Sequence, residues 1–152
     1  MTRKPAGGTG GGVRAFRPGD EERIAALSGQ LGYPSTPEEI RIRLEPILRD
    51  PRHAVYVAEL AGEAVAGWVH VFLYETVESD CRAEISGLVV DEARRRRGAG
   101  RILMERAERW AREQGCRMVS LRSNVIREEA HRFYEGLGYQ RIKTQHAFRK
   151  RI

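Results

Sequence analysis

The chain is organised around the segment Val89-Val90-Asp91-Glu92-Ala93-Arg94-Arg95-Arg96-Arg97-Gly98-Ala99-Gly100-Arg101. An apolar, β-branched run ends at Val90, a polar turn with two glycines follows, and an amphipathic helical pattern begins. A strand that delivers a glycine-containing loop to a helix N-terminus builds an anion site, because the first helical amides lack internal partners and the helix dipole adds partial positive charge. The segment therefore predicts a cradle for a polyanionic group such as a pyrophosphate.

Length and composition indicate one globular domain. The 152 residues are 41% hydrophobic and 32% charged, which is enough apolar material for a core. The 27 basic and 21 acidic residues give a net charge of +6, and the four consecutive arginines at 94–97 concentrate much of it in one turn. A local excess suits a polyanionic small ligand at least as well as a nucleic acid, and we expect no nucleic-acid partner.

Other features argue against membrane, secreted and metal-binding classes. No apolar run of about 18 residues occurs, so we expect no membrane partner. Residues 1–12 hold five glycines and two basic residues without an apolar stretch, and we expect a disordered leader ahead of a single domain at 13–152. Cys81 and Cys116 lie far apart in no CxxC spacing, which favours reduced thiols in a cytoplasmic protein and no metal site.

The hydrophobic periodicity predicts antiparallel strands first and then one β-α-β crossover. The predicted strands are 13–17, 53–60, 64–74, 82–90 and 118–121, with a final short pair ending near Phe148. The predicted helices begin after Asp20, at the capping box of Thr36, at Gly98 and near Arg127. Pro46 lies inside the second helix and is expected to kink or split it. Residues 75–80 are expected to form a polar loop.

The order and spacing of these features resemble the GNAT superfamily of N-acetyltransferases. In that family an acetyl-CoA motif of the form Arg/Gln-x-x-Gly-x-Gly/Ala begins the helix after the fourth strand, and Arg95-Arg96-Arg97-Gly98-Ala99-Gly100 stands in that place. Asn124, Phe133-Tyr134 and Leu137-Gly138-Tyr139 match the family's closing pattern. The resemblance covers roughly residues 13–148 and implies an α/β (α+β) fold. Its mixed, mostly antiparallel sheet would have about six or seven strands, splayed between strands 4 and 5, with about four helices.

The resemblance also implies where acetyl-CoA binds as co-substrate. Backbone groups at the end of the fourth strand would meet the pantetheine arm, and the glycine loop would bind the pyrophosphate. An asparagine would hydrogen-bond the cofactor or the strand edge beside it. The cofactor-binding residues implied in this way are Leu88, Val89, Val90, Arg95, Arg96, Arg97, Gly98, Ala99, Gly100, Arg101, Asn124 and Tyr134.

Tyr134 is implied to place its hydroxyl near the coenzyme sulfur as a catalytic residue, and the chemistry supports this role. Attack of an amine on a thioester expels a thiolate, to which a positioned O–H can donate a proton. The alternative for Tyr134 is a core aromatic residue. Phe133 is expected to play that part, because it points about 100° away around the helix.

Glu84 is the candidate general base. The amine must lose a proton before attack, since a lysine-like amine is mostly protonated at about pH 7. In an alternating strand Glu84 shares a face with Leu88 and Val90, the implied neighbours of the cofactor. The alternative is a structural carboxylate that pairs with Arg82 or His70, and His70 is the reserve base.

Tyr33, Trp68 and His70 are the candidate substrate-binding residues. Tyr33 lies in the loop between the first two helices, a region that caps the acceptor site in the family, and Trp68 and His70 share one strand face by i,i+2 spacing. The alternative is that this face packs on helices as ordinary core. The acidic residues within 75–80 either attract a cationic amine or form a solvated loop.

The resemblance therefore implies an acetyl-CoA-dependent N-acetyltransferase that acts by direct attack in a ternary complex, without a covalent acyl-enzyme. The expected acceptor is a small-molecule primary amine, aminoglycoside-like or polyamine-like. The alternatives are a protein N-terminus or lysine as acceptor, or a non-catalytic module that binds acetyl-CoA. A homodimer paired through C-terminal strands is also compatible with the resemblance.

Overall fold

The computed structural model describes residues 11–152. These residues belong to two compact units, of which the first ends at Leu121 and the second is Arg122–Ile152. The expected disordered leader falls mainly on residues 1–10, which lie outside the described part, and Gly12 already opens the first strand. The single domain at 13–152 stays a prediction. Within residues 11–152 no helix has the length and apolar character needed to cross a membrane.

The first unit contains a five-stranded sheet in the order β1-β2-β3-β4-β5. Neighbouring strands are antiparallel except β4 and β5, which run parallel. Its elements are β1 (Gly12–Ala15), α1 (Glu21–Gln30), α2 (Pro37–Arg49), β2 (His53–Glu59), β3 (Val65–Thr76), β4 (Ser79–Val90), a 3₁₀ turn (Glu92–Arg94), α3 (Ala99–Glu113) and β5 (Val119–Leu121). The predicted parallel crossover through one helix is confirmed.

α2 begins at the predicted capping box. Thr36 Oγ1 accepts a hydrogen bond from the Glu39 N–H at 3.2 Å, and Glu39 Oε2 accepts one from the Thr36 N–H at 2.8 Å. Pro37 follows in the first helical turn, where a backbone N–H would have no intrahelical acceptor. The missing N–H of proline therefore costs no helical hydrogen bond there. The expected split at Pro46 does not occur, and α2 continues to Arg49. Pro46 lies near the end of the helix, where few backbone hydrogen bonds remain to be broken.

The sheet packs apolar residues on both faces. One face carries Val57 and Val89, which join a buried cluster with Ile24, Ala25, Leu27 and Ile40 of α1 and α2. The other face receives α3, whose buried side chains are Ala99, Leu103, Met104, Ala107, Trp110 and Ala111. α1 and α2 therefore cover one face of the sheet, and α3 covers the other.

β4 contains one residue more than the stretch of β3 that it faces. His70 pairs with Gly87, and the next residue, Val71, pairs with Ile85. Ser86 is therefore a β-bulge, the extra residue that opposes no residue of its own on β3. A bulge bends its strand and increases the local twist.

The bulge corrects the predicted environment of Glu84. Residues paired across two strands point to the same face of the sheet. The β3 partners of Glu84 and Val89 lie an even number of positions apart, so both pairs lie on one face. The expectation that Glu84 shares a face with Leu88 and Val90 is wrong, because one extra residue reverses the alternation along β4. Glu84 lies on the α1–α2 side of the sheet.

The connection between β3 and β4 is shorter than expected. β3 runs to Thr76 and β4 starts at Ser79, so a tight turn replaces the predicted polar loop at 75–80. The Thr76 and Ser79 hydroxyls lie 2.8 Å apart and hydrogen-bond across the turn. Polar residues at these strand ends expose their side chains to solvent while their backbones still pair with the neighbouring strand. Side-chain polarity alone therefore does not predict where the two strands end.

The second unit contains the helix α4 (Glu128–Gly136). The expected strand pair ending near Phe148 is absent from the described residues, and the sheet has five strands rather than six or seven. Residues 140–152 are all exposed and mostly polar. They offer no alternating apolar face for a sheet to bury.

Candidate functional site

The loop between β4 and α3 is fixed at its base by Asp91. The buried Asp91 carboxylate accepts hydrogen bonds from the Ala93 N–H at 3.1 Å, Gln30 Nε2 at 3.3 Å and Arg23 Nη2 at 3.1 Å. Burial favours the neutral carboxyl, but these hydrogen bonds outweigh it and hold the pKa of Asp91 below its ordinary value. The start of the loop is thereby bound to α1, which carries Arg23 and Gln30.

The loop enters α3 through left-handed backbone. Gly98 precedes the helix with φ of 85°, and a Cβ at this position would meet open space. Arg96 has φ of 64°, and no other non-glycine residue among 11–152 has a positive φ. The Ile102 N–H donates to the Gly98 carbonyl at 3.1 Å, so the amides at 99–101 precede the first intrahelical donor. These amides are available to an anion, as the sequence predicts.

The arginines of the loop have different partners. Arg94 Nε and Arg97 Nη1 lie 2.8 Å and 3.0 Å from the two carboxylate oxygens of Glu63, in the connection between β2 and β3. Arg95 lies 3.8 Å from a carboxylate of the 3₁₀ turn. Within the described part of the chain Arg96 has no ion-pair partner. Its guanidinium is therefore available to neutralise a bound anion.

β4 pairs with β5 only ahead of the bulge. The parallel ladder consists of the pairs Ala83–Val119, Glu84–Ser120 and Ile85–Leu121. The ladder ends at Ile85 because its partner Leu121 is the last residue of β5. Among the described residues, Leu88, Val89 and Val90 therefore have no pairing with β5. The splay between strands 4 and 5 stays a prediction.

A cavity of about 300 Å³, here called the α1–α2 cavity, lies between these two helices and the sheet. Its apolar wall consists of Ile24, Leu31, Ile40, Leu44, Ile47 and Val55. Its polar residues are Ser28, Tyr33, Ser35, Arg43, His70 and Ser86. Trp68 and Gly87 complete the lining. The structure thus brings the predicted substrate-binding residues Tyr33, Trp68 and His70 to one cavity, which reaches the bulge of β4.

Arg43, Ser35 and Ser86 are cavity residues that sequence reasoning missed. Arg43 projects from α2, and its Nη1 donates to Ser35 Oγ at 2.8 Å. Its spacing from Ile40 and Ile47 is a usable signal, because residues three and four apart share a helix face. Ser86 gives no comparable signal, since alternation along β4 does not reveal the bulge.

His70 forms a pair with His53 on the neighbouring strand. His53 Nδ1 and His70 Nε2 lie 2.9 Å apart, and the two rings stack with centroids 5.2 Å apart. His53 Nε2 lies 3.9 Å from Asp50. Burial, and then the nearby His53, lower the pKa of His70 from 6.5 to about 4. His70 is therefore neutral at neutral pH.

Glu84 is buried, with 5% of its surface exposed, and is held by polar neighbours. Its Oε2 accepts a hydrogen bond from Ser120 Oγ at 2.9 Å and lies 3.8 Å from Arg82 Nε. Arg82 Nε in turn donates to Ser120 Oγ at 2.9 Å. The anticipated pairing with Arg82 is present, and Glu84 does not line the α1–α2 cavity. Its role as a base stays a prediction.

Asn124 and Tyr134 belong to the second unit. Asn124 Oδ1 accepts from the Ile126 N–H at 3.2 Å, which shapes the turn ahead of α4. The Tyr134 ring makes an edge contact with Tyr139, with centroids 6.1 Å apart. Burial raises the pKa of Tyr134 above its ordinary value of 10.0, and Arg127 opposes this shift. The phenol therefore keeps its proton at neutral pH.

Comparison with known proteins matches the chain to a family of enzymes. The family model described as Acetyltransferase (GNAT) family matches residues 21–139. The aminoglycoside N(6')-acetyltransferase type 1 of Serratia marcescens is 27% identical over 131 residues, which cover 84% of this chain and 90% of that protein.

Solved structures share the fold. AAC(6')-Iy in complex with the bisubstrate analogue CoA-S-monomethyl-acetylneamine has a TM-score of 0.82 at 20% identity, over 93% of this chain and 99% of that chain. AAC(6')-Iy in complex with CoA has a TM-score of 0.84 at 21% identity, over 99% and 100% of the two chains. At these identities the likeness shows a common architecture.

Proposed function

The chain belongs to the acetyltransferase (GNAT) family, and we propose that it is an N-acetyltransferase that moves an acetyl group from acetyl-CoA to a small-molecule primary amine. The observation that carries the proposal is a juxtaposition along β4. The anion-binding loop follows the last residue of this strand, and the α1–α2 cavity reaches its bulge at Ser86. A cofactor on the loop and an amine in the cavity would meet beside residues 86–90.

Acetyl-CoA supplies the activated acetyl thioester in this proposal. The left-handed Gly98, the amides at 99–101 and the Arg96 guanidinium, which forms no ion pair within residues 11–152, suit a pyrophosphate. Residues 88–90 of β4, which have no pairing with β5 in the described structure, suit an extended arm that needs backbone hydrogen bonds. The proposed cofactor-binding residues are Leu88, Val89, Val90, Arg95, Arg96, Arg97, Gly98, Ala99, Gly100, Arg101, Asn124 and Tyr134.

The proposed transfer is direct. The amine nitrogen forms a bond to the acetyl carbon, and the carbon–sulfur bond breaks. Tyr134 donates its phenolic proton to the departing thiolate, a role that suits a tyrosine whose pKa is raised by burial. The amine nitrogen loses one proton to a base, and the Tyr134 phenolate regains a proton from solvent, so the products are an amide and the thiol of coenzyme A.

Glu84 is proposed to receive the proton of the amine. It lies outside the cavity lining, so the proton would pass through a water molecule. His70 lines the cavity, but its pKa, lowered to about 4, lies far from the neutral range in which a general base works best. Glu84 therefore stays the first candidate and His70 the second.

The decisive experiment measures acetyl-CoA binding by calorimetry and coenzyme A release with a panel of amines. We expect wild-type turnover, and Tyr134→Phe should lower kcat by about 100-fold with a much smaller loss of acetyl-CoA affinity. Tyr139→Phe, in the ring that contacts Tyr134, is the matched control. Absence of acetyl-CoA binding would refute the proposal. Binding without turnover of any amine would instead indicate a module that only holds the cofactor.

The predicted homodimer and cytoplasmic location remain predictions. Light scattering on the purified chain measures the mass in solution and tests the dimer directly. A monomer at the concentrations of the assay would exclude a site that needs a second copy.

A further inference from the structure

The charge of the α1–α2 cavity differs from what a polycationic amine needs. Arg43 is its one ionised side chain, and among the described residues no aspartate or glutamate lines it. His70 also lines the cavity, and it is neutral at neutral pH because its pKa is lowered to about 4. A polycation such as an aminoglycoside would therefore find a like charge at the cavity and no carboxylate to bind its ammonium groups.

Arg43 differs from the other arginines of α2 because it forms no salt bridge in the described residues, although the backbone N–H of Thr36, and then the charge of Arg43, lower the pKa of Glu39. Arg41 forms an ion pair with Glu38, and Arg49 forms one with Glu45. Arg43 donates to the neutral hydroxyl of Ser35, and within residues 11–152 it forms no ion pair.

The nearest competing carboxylate on α2 is already engaged. Glu39, one turn before Arg43, accepts the backbone N–H of Thr36 in the capping box. The Arg43 guanidinium has five donor hydrogens, and within residues 11–152 only its Nη1 donates a hydrogen bond, to Ser35. The other donors remain for an anionic group.

The rest of the cavity favours a small, partly apolar molecule. Its volume of about 300 Å³ lies at the lower end of ligand pockets, which typically measure about 300–1,000 Å³. Six aliphatic residues form one wall. Trp68 also lines the cavity, and its indole Nε1 is buried without an acceptor in the described structure. A buried donor of this kind is usually satisfied by a partner, and a bound molecule can supply one.

We propose that the acceptor is a primary amine that also carries a carboxylate and an apolar side group, an amino-acid-like molecule whose carboxylate binds Arg43. This inference rests on the proposed function and specifies its substrate class. The guanidinium fork is suited to a carboxylate. The carboxylate at Arg43 would leave the amine free to point towards Ser86 and residues 88–90 of β4.

The test compares L-phenylalanine, L-phenylalaninamide and neamine as acceptors in the coenzyme A release assay, for wild type, Arg43→Gln and Arg41→Gln. The amide keeps the amine and the ring but lacks the carboxylate, and neamine is a polycation. We expect wild-type kcat/KM to be highest for phenylalanine. Arg43→Gln should lower it about tenfold for phenylalanine and leave the amide nearly unchanged. Comparing each acceptor across variants cancels the intrinsic reactivity of its amine.

Arg41→Gln is the matched control, because Arg41 lies on the same helix and pairs with Glu38 away from the cavity. Turnover of neamine or the amide without any turnover of phenylalanine would overturn the inference and leave the proposed function standing. An equal loss for phenylalanine and its amide in Arg43→Gln would also overturn it, since the effect would then be independent of the carboxylate.

A binding measurement decides the inference if no amine is turned over. Calorimetry of N-acetyl-L-phenylalanine with the coenzyme A-loaded protein reports on the anion site without catalysis. Binding to wild type and Arg41→Gln, with at least a fivefold loss in Arg43→Gln, would support the carboxylate site. Equal binding by all three proteins, or no binding by any, would contradict it.

Discussion

Gly87 and Trp68 fit each other closely across the β3–β4 pair: a Cβ placed on Gly87 would lie 2.8 Å from Cη2 and 2.9 Å from Cζ3 of the indole. Real Cβ atoms essentially never approach another atom so closely, so one of the two groups would have to move. Gly87 thus leaves room on the sheet for an indole that lines the α1–α2 cavity. It also follows the bulge, where the strand bends.

Gly87→Ala should therefore displace the Trp68 ring. We expect a loss of unfolding free energy of about 1–3 kcal/mol from overpacking, a raised KM for the acceptor and unchanged affinity for acetyl-CoA. Urea denaturation and steady-state kinetics measure these effects. Gly29→Ala in α1 is the control, because a Cβ at this position would meet open space. This substitution should stabilise the helix slightly, since alanine has a higher helix propensity than glycine. Equal stability and KM in the two variants would show that the indole accommodates the methyl group.

The His53–His70 pair should make the fold less stable in mild acid. The folded-state pKa of His70, about 4, lies below its ordinary value of 6.5, so the unfolded chain binds more protons between these two values. Stability should therefore fall as the pH drops from about 6.5 to about 4, by about 3 kcal/mol in all. Denaturation at pH 7 and pH 5 measures the change. His70→Gln should flatten it, whereas His146→Gln, at an exposed position, should not.

Arg96 should contribute to acetyl-CoA affinity through its charge. Arg96→Gln removes a guanidinium that forms no ion pair in the described part of the chain, and we expect acetyl-CoA binding to weaken about three- to tenfold, with a smaller dependence on salt. Arg112→Gln, near the far end of α3, should have little effect. Arg96→Gly distinguishes the effect of the charge from that of backbone strain. Glycine adopts the left-handed conformation without strain, and this variant should still bind acetyl-CoA weakly because it lacks the guanidinium. Wild-type affinity in Arg96→Gln would assign the loop's binding energy to its amides alone.

Glu84→Gln should separate the catalytic hypothesis from the structural one. The amide oxygen can still accept the Ser120 hydroxyl, so the fold should be retained while the base is lost. We expect kcat to fall about 100-fold and acetyl-CoA affinity to be unchanged. Activity should recover at high pH, where more of the amine is deprotonated in solution. A variant with full activity at neutral pH would leave Glu84 as a structural partner of Arg82 and Ser120.

Local chemistry explains which parts of the protein could be predicted. The capping box of α2 depends on two residues three positions apart, and the loop before α3 depends on glycines at the start of a helix. Both act within a few residues, and both appear at the expected positions. Tyr33, Trp68 and His70 reached one cavity because the loop before α2 and one strand face meet there.

The remaining features depend on pairing between distant segments. The bulge at Ser86 exists only relative to β3, and strict alternation therefore placed Glu84 with Leu88 and Val90 on the wrong face. Arg43 becomes a cavity residue only once α2 is laid on the sheet. The final strand pair was expected from residues that are all exposed in the structure, where local alternation lacks an apolar face to bury.

The proposed binding of the acceptor carboxylate to Arg43 also affects product release. Acetylation converts a cationic ammonium group into a neutral amide, so an acceptor that enters as a zwitterion leaves as an anion. Arg43 stays bound to the carboxylate throughout, and the repulsion between its guanidinium and the ammonium group of the acceptor disappears on acetylation. We therefore expect the acetylated molecule to dissociate more slowly than the amine and to inhibit the enzyme as it accumulates. Feedback by the end product would then need no second binding site.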